Sequence, residues 1–140
     1  MLAAVDTNHL SELDRNPEFA ARFEERRRAS EADVFTTIVT IQEITRGWLA
    51  LLNRPARASQ QVQLYARFQR NIEVLREWDI LPFDSEAAGL FENLRRQRLR
   101  IGTMDLKIAA ICLAHDALLL TRNLADFARV AGLRVENWLD

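Results

Sequence analysis

The chain has 140 residues and a mass of 16.2 kDa, with 49% hydrophobic and 28% charged residues, the composition of an ordinary globular protein with room for one core. Charges interrupt every apolar run, so nothing approaches the ~18 residues of a membrane span, and no basic segment leads into an apolar one at the start, so export is not expected. The net charge of -1 gives no long-range pull toward nucleic acid.

In chain order, the apolar run Leu2-Ala3-Ala4-Val5 ends at Asp6 and passes into a helix-like stretch with Leu10, Leu13, Phe19 and Phe23, the pattern of a buried strand handing over to a helix. Asn16-Pro17 marks a break and a new helix start through FAARFEERRRAS. VFTTIVT is rich in β-branched residues and reads as a strand over roughly Val34–Ile38. IQEITRGWLALL follows with helical spacing and ends near Arg54-Pro55. The stretch from Ser59 to Trp78 reads as one long amphipathic helix with Val62, Tyr65, Phe68, Ile72 and Leu75 on one face. DILPF is a short strand, with Asp84 or Ser85 capping the helix EAAGLFENLRRQRL. Thr103 starts a helix, MDLKIAAICLAH, that is apolar nearly all round and therefore central. Its Cys112 is the only cysteine, and reads as a small core residue in a reducing cytoplasm. ALLLT is a strand, NLADFARV a turn, and LRVENW a last strand. No repeat or linker divides residues 1–140, which read as a single domain.

Strands alternating with helices predict a parallel sheet with helices on both faces, its strand C-termini along one edge. Asp6 ends strand one, Glu43 falls in the first turn after strand two, Asp105 in the first turn of the central helix behind a Thr103 cap, and Asn123 and Asp126 after ALLLT. Each has a structural reading of its own. Asp6 is a good helix cap, Glu43 and Asp105 suit a helix N-terminus, and Asn123 or Asp126 suits a turn. Together on one edge they would repel one another unless a positive charge stood among them. A hard divalent cation with oxygen ligands is the natural partner, and His9 and His115 offer no zinc spacing. One or two such ions can activate a water and stabilise charge on a phosphodiester.

The D-T-N after the first strand, the E-I of QEITRG, TMDLKIAA, and the closing T-R-N-x-x-D-F and GLRVENW resemble a PIN domain, more narrowly the VapC-type toxins of toxin–antitoxin pairs. The resemblance runs from Val5 to Trp138. It implies a three-layer α/β/α fold and a Mg²⁺- or Mn²⁺-dependent endoribonuclease, forming a homodimer and held inactive by a cognate antitoxin. Asp6, Glu43 and Asp105 match the metal-binding acids. Asn123 stands where many members carry Asp, so Asp126 is assigned as the fourth acid, reaching the metal through water, with Asn123 behind it. Thr7 or Asn8, and Thr121 across the edge, are expected to orient Asp6. Gly47 reads either as a packing glycine or as a place of close approach. Arg95, Arg96, Arg98 and Arg100 line an RNA path or simply a solvated face. A catalytically inactive PIN-fold module that binds RNA or protein is the alternative. A phospho-acceptor domain is disfavoured because DTN holds one acid and the sole lysine, Lys107, lies inside a helix. Four scattered glycines make no phosphate loop.

Overall fold

The computed structural model describes residues 1–140. Strand β1 (Leu2–Val5) leads directly into helix α1 (Thr7–Arg15), and α2 (Pro17–Ser30) follows after one residue. Asn16 ends the first helix and caps the second, its side chain accepting the Glu18 N–H, while Pro17 fills a first-turn place where no N–H is needed. Then come β2 (Asp33–Thr37), α3 (Ile38–Leu52), α4 (Ala58–Leu75) and the two-residue β3 (Ile80–Leu81). The second half runs α5 (Ser85–Arg96), α6 (Thr103–Ala114), β4 (Leu118–Leu120), α7 (Leu124–Phe127) and β5 (Val135–Glu136).

All four strand pairings are parallel and the order is β3-β2-β1-β4-β5. The alternation of side chains along each strand divides the apolar residues between two faces. Ala3, Val5, Leu118 and Leu120 pack with Leu10, Phe23, Leu75 and Trp138 on one side, and Ala4 and Leu119 with α5 and α6 on the other. The three-layer α/β/α arrangement follows from having an apolar residue at nearly every strand position, which only a sheet covered on both faces can bury. Helix α6 is central as expected, with Leu106 and Ile108 to Cys112 buried. Burial pushes the Cys112 thiol up to about 12, as befits an inert core side chain.

Three details differ from the sequence reading. The second strand stops at Thr37 and α3 begins at Ile38, because the Thr37 hydroxyl accepts the Thr40 N–H at 3.0 Å and caps the helix inside the β-branched run. Glu43 consequently sits in the second turn of α3, not the first. Helix α6 has Gly102 at its N-cap position with no side-chain cap, so Thr103 is its first residue rather than its cap. The inward face of α4 is Leu64, Phe68, Asn71, Leu75 and, just beyond it, Trp78. Val62, Tyr65 and Ile72, expected on the same face, are exposed. No helix is long and apolar enough to cross a membrane.

Candidate active site

The strand order places β1 at the centre, with the chain moving outward to β2 and β3 on one side and to β4 and β5 on the other. The carboxyl ends of β1 and β4 therefore flank the topological switch point, where open α/β sheets leave a crevice for ligands. Asp6 stands at the end of β1. Its peptide N–H donates to the Leu120 carbonyl at 3.1 Å, the last rung between those two strands. Its side chain caps α1, Oδ1 accepting the His9 N–H at 2.9 Å. Capping thus occupies one carboxylate oxygen, and only 8% of the residue is exposed.

Glu43 comes across from α3, and its Oε1 accepts a 2.7 Å hydrogen bond from the Thr7 hydroxyl. Asp105 projects from the first turn of α6 and carries the clearest electrostatic mark in the crevice. Burial, then the negative charges of Glu43, Asp6 and Asp126, push its carboxyl up to about 6. Asp126, in α7, accepts from the Asn123 amide at 2.9 Å, and Arg129 lies 3.7 Å from its other oxygen.

All four predicted acids thus act on one neighbourhood. They are spread, however: as they stand, no three of the chain's acids, histidines or cysteines are gathered closely enough to hold a metal ion. Like charges in a half-buried crevice repel, and Thr7 and Asn123 hold Glu43 and Asp126 at their stations. The donor set is nonetheless all carboxylate oxygen, which suits a hard divalent cation and not zinc.

The supporting residues fall differently from expectation. Thr7 holds Glu43 rather than Asp6. Asn8 is exposed on the outer side of α1. Thr121 is buried and its hydroxyl accepts the Asn123 N–H at 2.9 Å, shaping the turn after β4 without touching Asp6. Asn123 bonds to Asp126, the neighbour it was expected to support. Gly47 is no packing glycine, because a Cβ there would meet nothing within 4 Å. It lines an open groove of about 510 Å³ that starts at Thr7 and Glu43 and runs between α1, α3 and α4 past Trp48 and Trp78.

One residue of the site was missed. His9 is completely buried beside Asp6, with its Nδ1 3.6 Å from Asp6 Oδ1 and its Nε2 accepting the Trp138 peptide N–H at 3.3 Å. The D-x-x-H spacing puts both on one helical face, but a lone histidine among the polar residues of DTNHLSE carries no mark of its own in sequence.

A parallel sheet with carboxylates collected at its switch point defines the class: the PIN domain model matches residues 3–133, and the chain belongs to that family. Within it, the chain is 45% identical over 60 residues to ribonuclease VapC1 of Rickettsia felis, covering 40% of this chain and 45% of that protein. It is 32% identical over 78 residues to the tRNA(fMet)-specific endonuclease VapC of Shigella flexneri, covering 50% and 59%. The chain spans about half the length of the curated relatives it matches. Among solved structures, VapBC2 from Rickettsia felis bound to a promoter DNA fragment superposes with a TM-score of 0.75 at 23% identity, covering 99% of both chains. VapBC-1 from nontypeable Haemophilus influenzae gives 0.71 at 25% identity, covering 100% of both.

Proposed function

We propose that this chain is a metal-dependent endoribonuclease and the toxin of a toxin–antitoxin pair, working in the cytoplasm. The observation that carries the reading is the Asp105 carboxyl, pushed up to about 6 by burial and by Glu43, Asp6 and Asp126. A crevice that holds negative charges together at a cost to the fold has a use for them. The names of the relatives, ribonucleases and an endonuclease, agree.

Asp6, Glu43 and Asp105 would hold Mg²⁺ or Mn²⁺ directly, and Asp126 through water. When bound, such an ion neutralises phosphodiester charge and acidifies the attacking water. The chain's own contribution is orientation. Thr7 fixes the Glu43 carboxylate, the α1 N-terminus fixes one oxygen of Asp6, and Asn123 fixes Asp126. Half-burial of Asp105 keeps water from screening the charges. Of the arginines ahead of α6, Arg95 pairs with Glu92 and lies over Phe91, while Arg100 lends its carbonyl to Arg129. We assign this face to RNA phosphates.

Solved VapBC toxin–antitoxin complexes among the structural neighbours support a cognate antitoxin as partner. The open groove that begins at Thr7 and Glu43 suits an apolar antitoxin segment whose end reaches the acids. The exposed Val62, Tyr65 and Ile72 of α4 suit a homodimer contact.

The spread of the acids favours a second reading, a PIN-fold module that binds RNA or protein without cleaving it. One experiment separates the two: incubation of purified chain with RNA. The nuclease reading expects cleavage that EDTA stops and Mg²⁺ or Mn²⁺ restores. The module reading expects retention of intact RNA or of a protein partner under every metal condition.

A further inference from the structure

We propose that His9 is a positioning residue for Asp6, its Nδ1–H turned onto Oδ1 so that the other carboxylate oxygen stays directed into the crevice. The inference rests on the metal-ion reading of the acids. His9 is 0% exposed, and its ring bridges two parts of the chain that are 129 residues apart in sequence. Nε2 accepts the Trp138 peptide N–H at 3.3 Å, which uses its lone pair and leaves the ring proton on Nδ1. Nδ1 is the only fully buried side-chain nitrogen or oxygen in the molecule without a hydrogen-bond partner.

That orphaned donor faces Asp6 Oδ1 at 3.6 Å. The separation is too long for a hydrogen bond, and a buried donor left unpaired is costly. The ring is therefore under a standing pull toward this oxygen, the one that already accepts the His9 peptide N–H. When the ring closes that gap, two donors from one residue hold Oδ1 and leave the remaining oxygen as the free ligand. Trp138 anchors the arrangement. It is 2% exposed and packs against Phe23 at 5.4 Å between ring centroids, which holds its peptide N–H in place at Nε2. A purely structural histidine would need only the Trp138 bond, and its Nδ1 would have no reason to face the first acid of the crevice.

The two functions of the ring can be separated by side-chain amides. His9→Asn keeps a donor near the Nδ1 position and drops the acceptor for Trp138, while His9→Gln keeps the distant acceptor and drops the near donor. Mn²⁺ binding is measured by calorimetry on the folded proteins, alongside their melting temperatures. Loss of such an orienting contact commonly weakens metal binding by 10- to 100-fold. The expected result is a Mn²⁺ dissociation constant about tenfold or more higher in His9→Gln and changed by less than about threefold in His9→Asn. His9→Asn should nevertheless be the less thermostable of the two. On the native chain, the long-range ¹H–¹⁵N spectrum of the ring should show an Nδ1-protonated tautomer whose Nδ1 signal moves on adding Mg²⁺.

Native Mn²⁺ affinity in His9→Gln overturns the proposal, as do losses in both variants that simply follow melting temperature. An Nε2-protonated ring in the native chain overturns it too, and that readout stands even where His9→Gln fails to fold. A native chain that binds no Mn²⁺ overturns the metal reading, and this proposal with it.

Discussion

Asp105 is the residue at which the site and the fold oppose each other. Its carboxyl ionises at about 6 in the folded chain against an ordinary value of 3.8, because burial and three neighbouring acids disfavour the charge. A folded-state value raised above the unfolded one means that the native chain binds the proton more tightly. The Asp105 contribution to stability without metal is therefore least unfavourable below about pH 4, worsens as pH rises from about 4 to 6, and stays at its lower level above that. Asp105→Asn removes the charge and should raise the melting temperature of the metal-free chain at pH 7.5 by a few degrees. That corresponds to about 1 kcal/mol once solvent screening of a half-exposed group is allowed for. Melts at pH 4.5 should show little gain, and an equal gain at both pH values would sink the account of the shift. A companion pair tests the fourth position. Asp126→Asn should weaken apparent Mg²⁺ affinity more than Asn123→Ala, which removes only the amide holding that carboxylate; the reverse order would exchange their roles. The acids were legible as a group in sequence because Asp6, Asp105 and Asp126 follow a strand or open a helix at the carboxyl edge, with Glu43 one turn into α3. Of their supports, Asn123 behind Asp126 was legible and Thr7 was not. Thr7 finds Glu43 across 36 residues, and nothing local distinguishes that outcome from a bond to Asp6.

Among the elements, α3 repays the closest reading. It carries Glu43 at the head of the open groove and lines that groove onward, and Gly47 interrupts it with no neighbour to require a glycine. Gly47→Ala should therefore stabilise the chain by roughly 0.5 to 1 kcal/mol through helix propensity alone, a rise of about 2 to 4 °C in a melt. A loss of stability would mean that the groove closes on Gly47 in solution. The start of this helix was misread in sequence for a definite reason. Thr36 to Thr40 is β-branched throughout, which favours a strand locally, and only the Thr37 hydroxyl on the Thr40 N–H turns the run into a helix at Ile38. Helix α4 was misread for another: it has two apolar stripes. Leu64-Phe68-Leu75 and Val62-Tyr65-Ile72 both have helical spacing, and periodicity cannot say which one the rest of the chain covers. By contrast, β1, α2 and α6 were plain, because an abrupt apolar run, a proline break and an all-round apolar helix each admit one arrangement.

For the molecule as a whole, the alternation of strands and helices announced a parallel sheet, while its order β3-β2-β1-β4-β5 depends on contacts between distant segments. That order matters, since it brings Asp6 and the turn after β4 to one switch point. The exposed stripe on α4 belongs to this scale too. If it joins two copies, sedimentation should give a dimer for the native chain and a monomer for the double variant Tyr65→Glu, Ile72→Glu; equal masses would place the contact elsewhere or remove it. In bacteria, the chain produced alone should arrest growth, and the arrest should vanish with Asp105→Ala. The most direct test of the central claim, that these acids hold a divalent cation for RNA cleavage, is the cleavage rate of Asp6→Asn against the native chain in saturating Mg²⁺. The substitution keeps the shape of the side chain and the cap on α1 while removing one ligand charge. The account predicts a fall of at least about a hundredfold with an unchanged circular dichroism spectrum. A correctly folded Asp6→Asn protein that cleaves RNA at the native rate would contradict it.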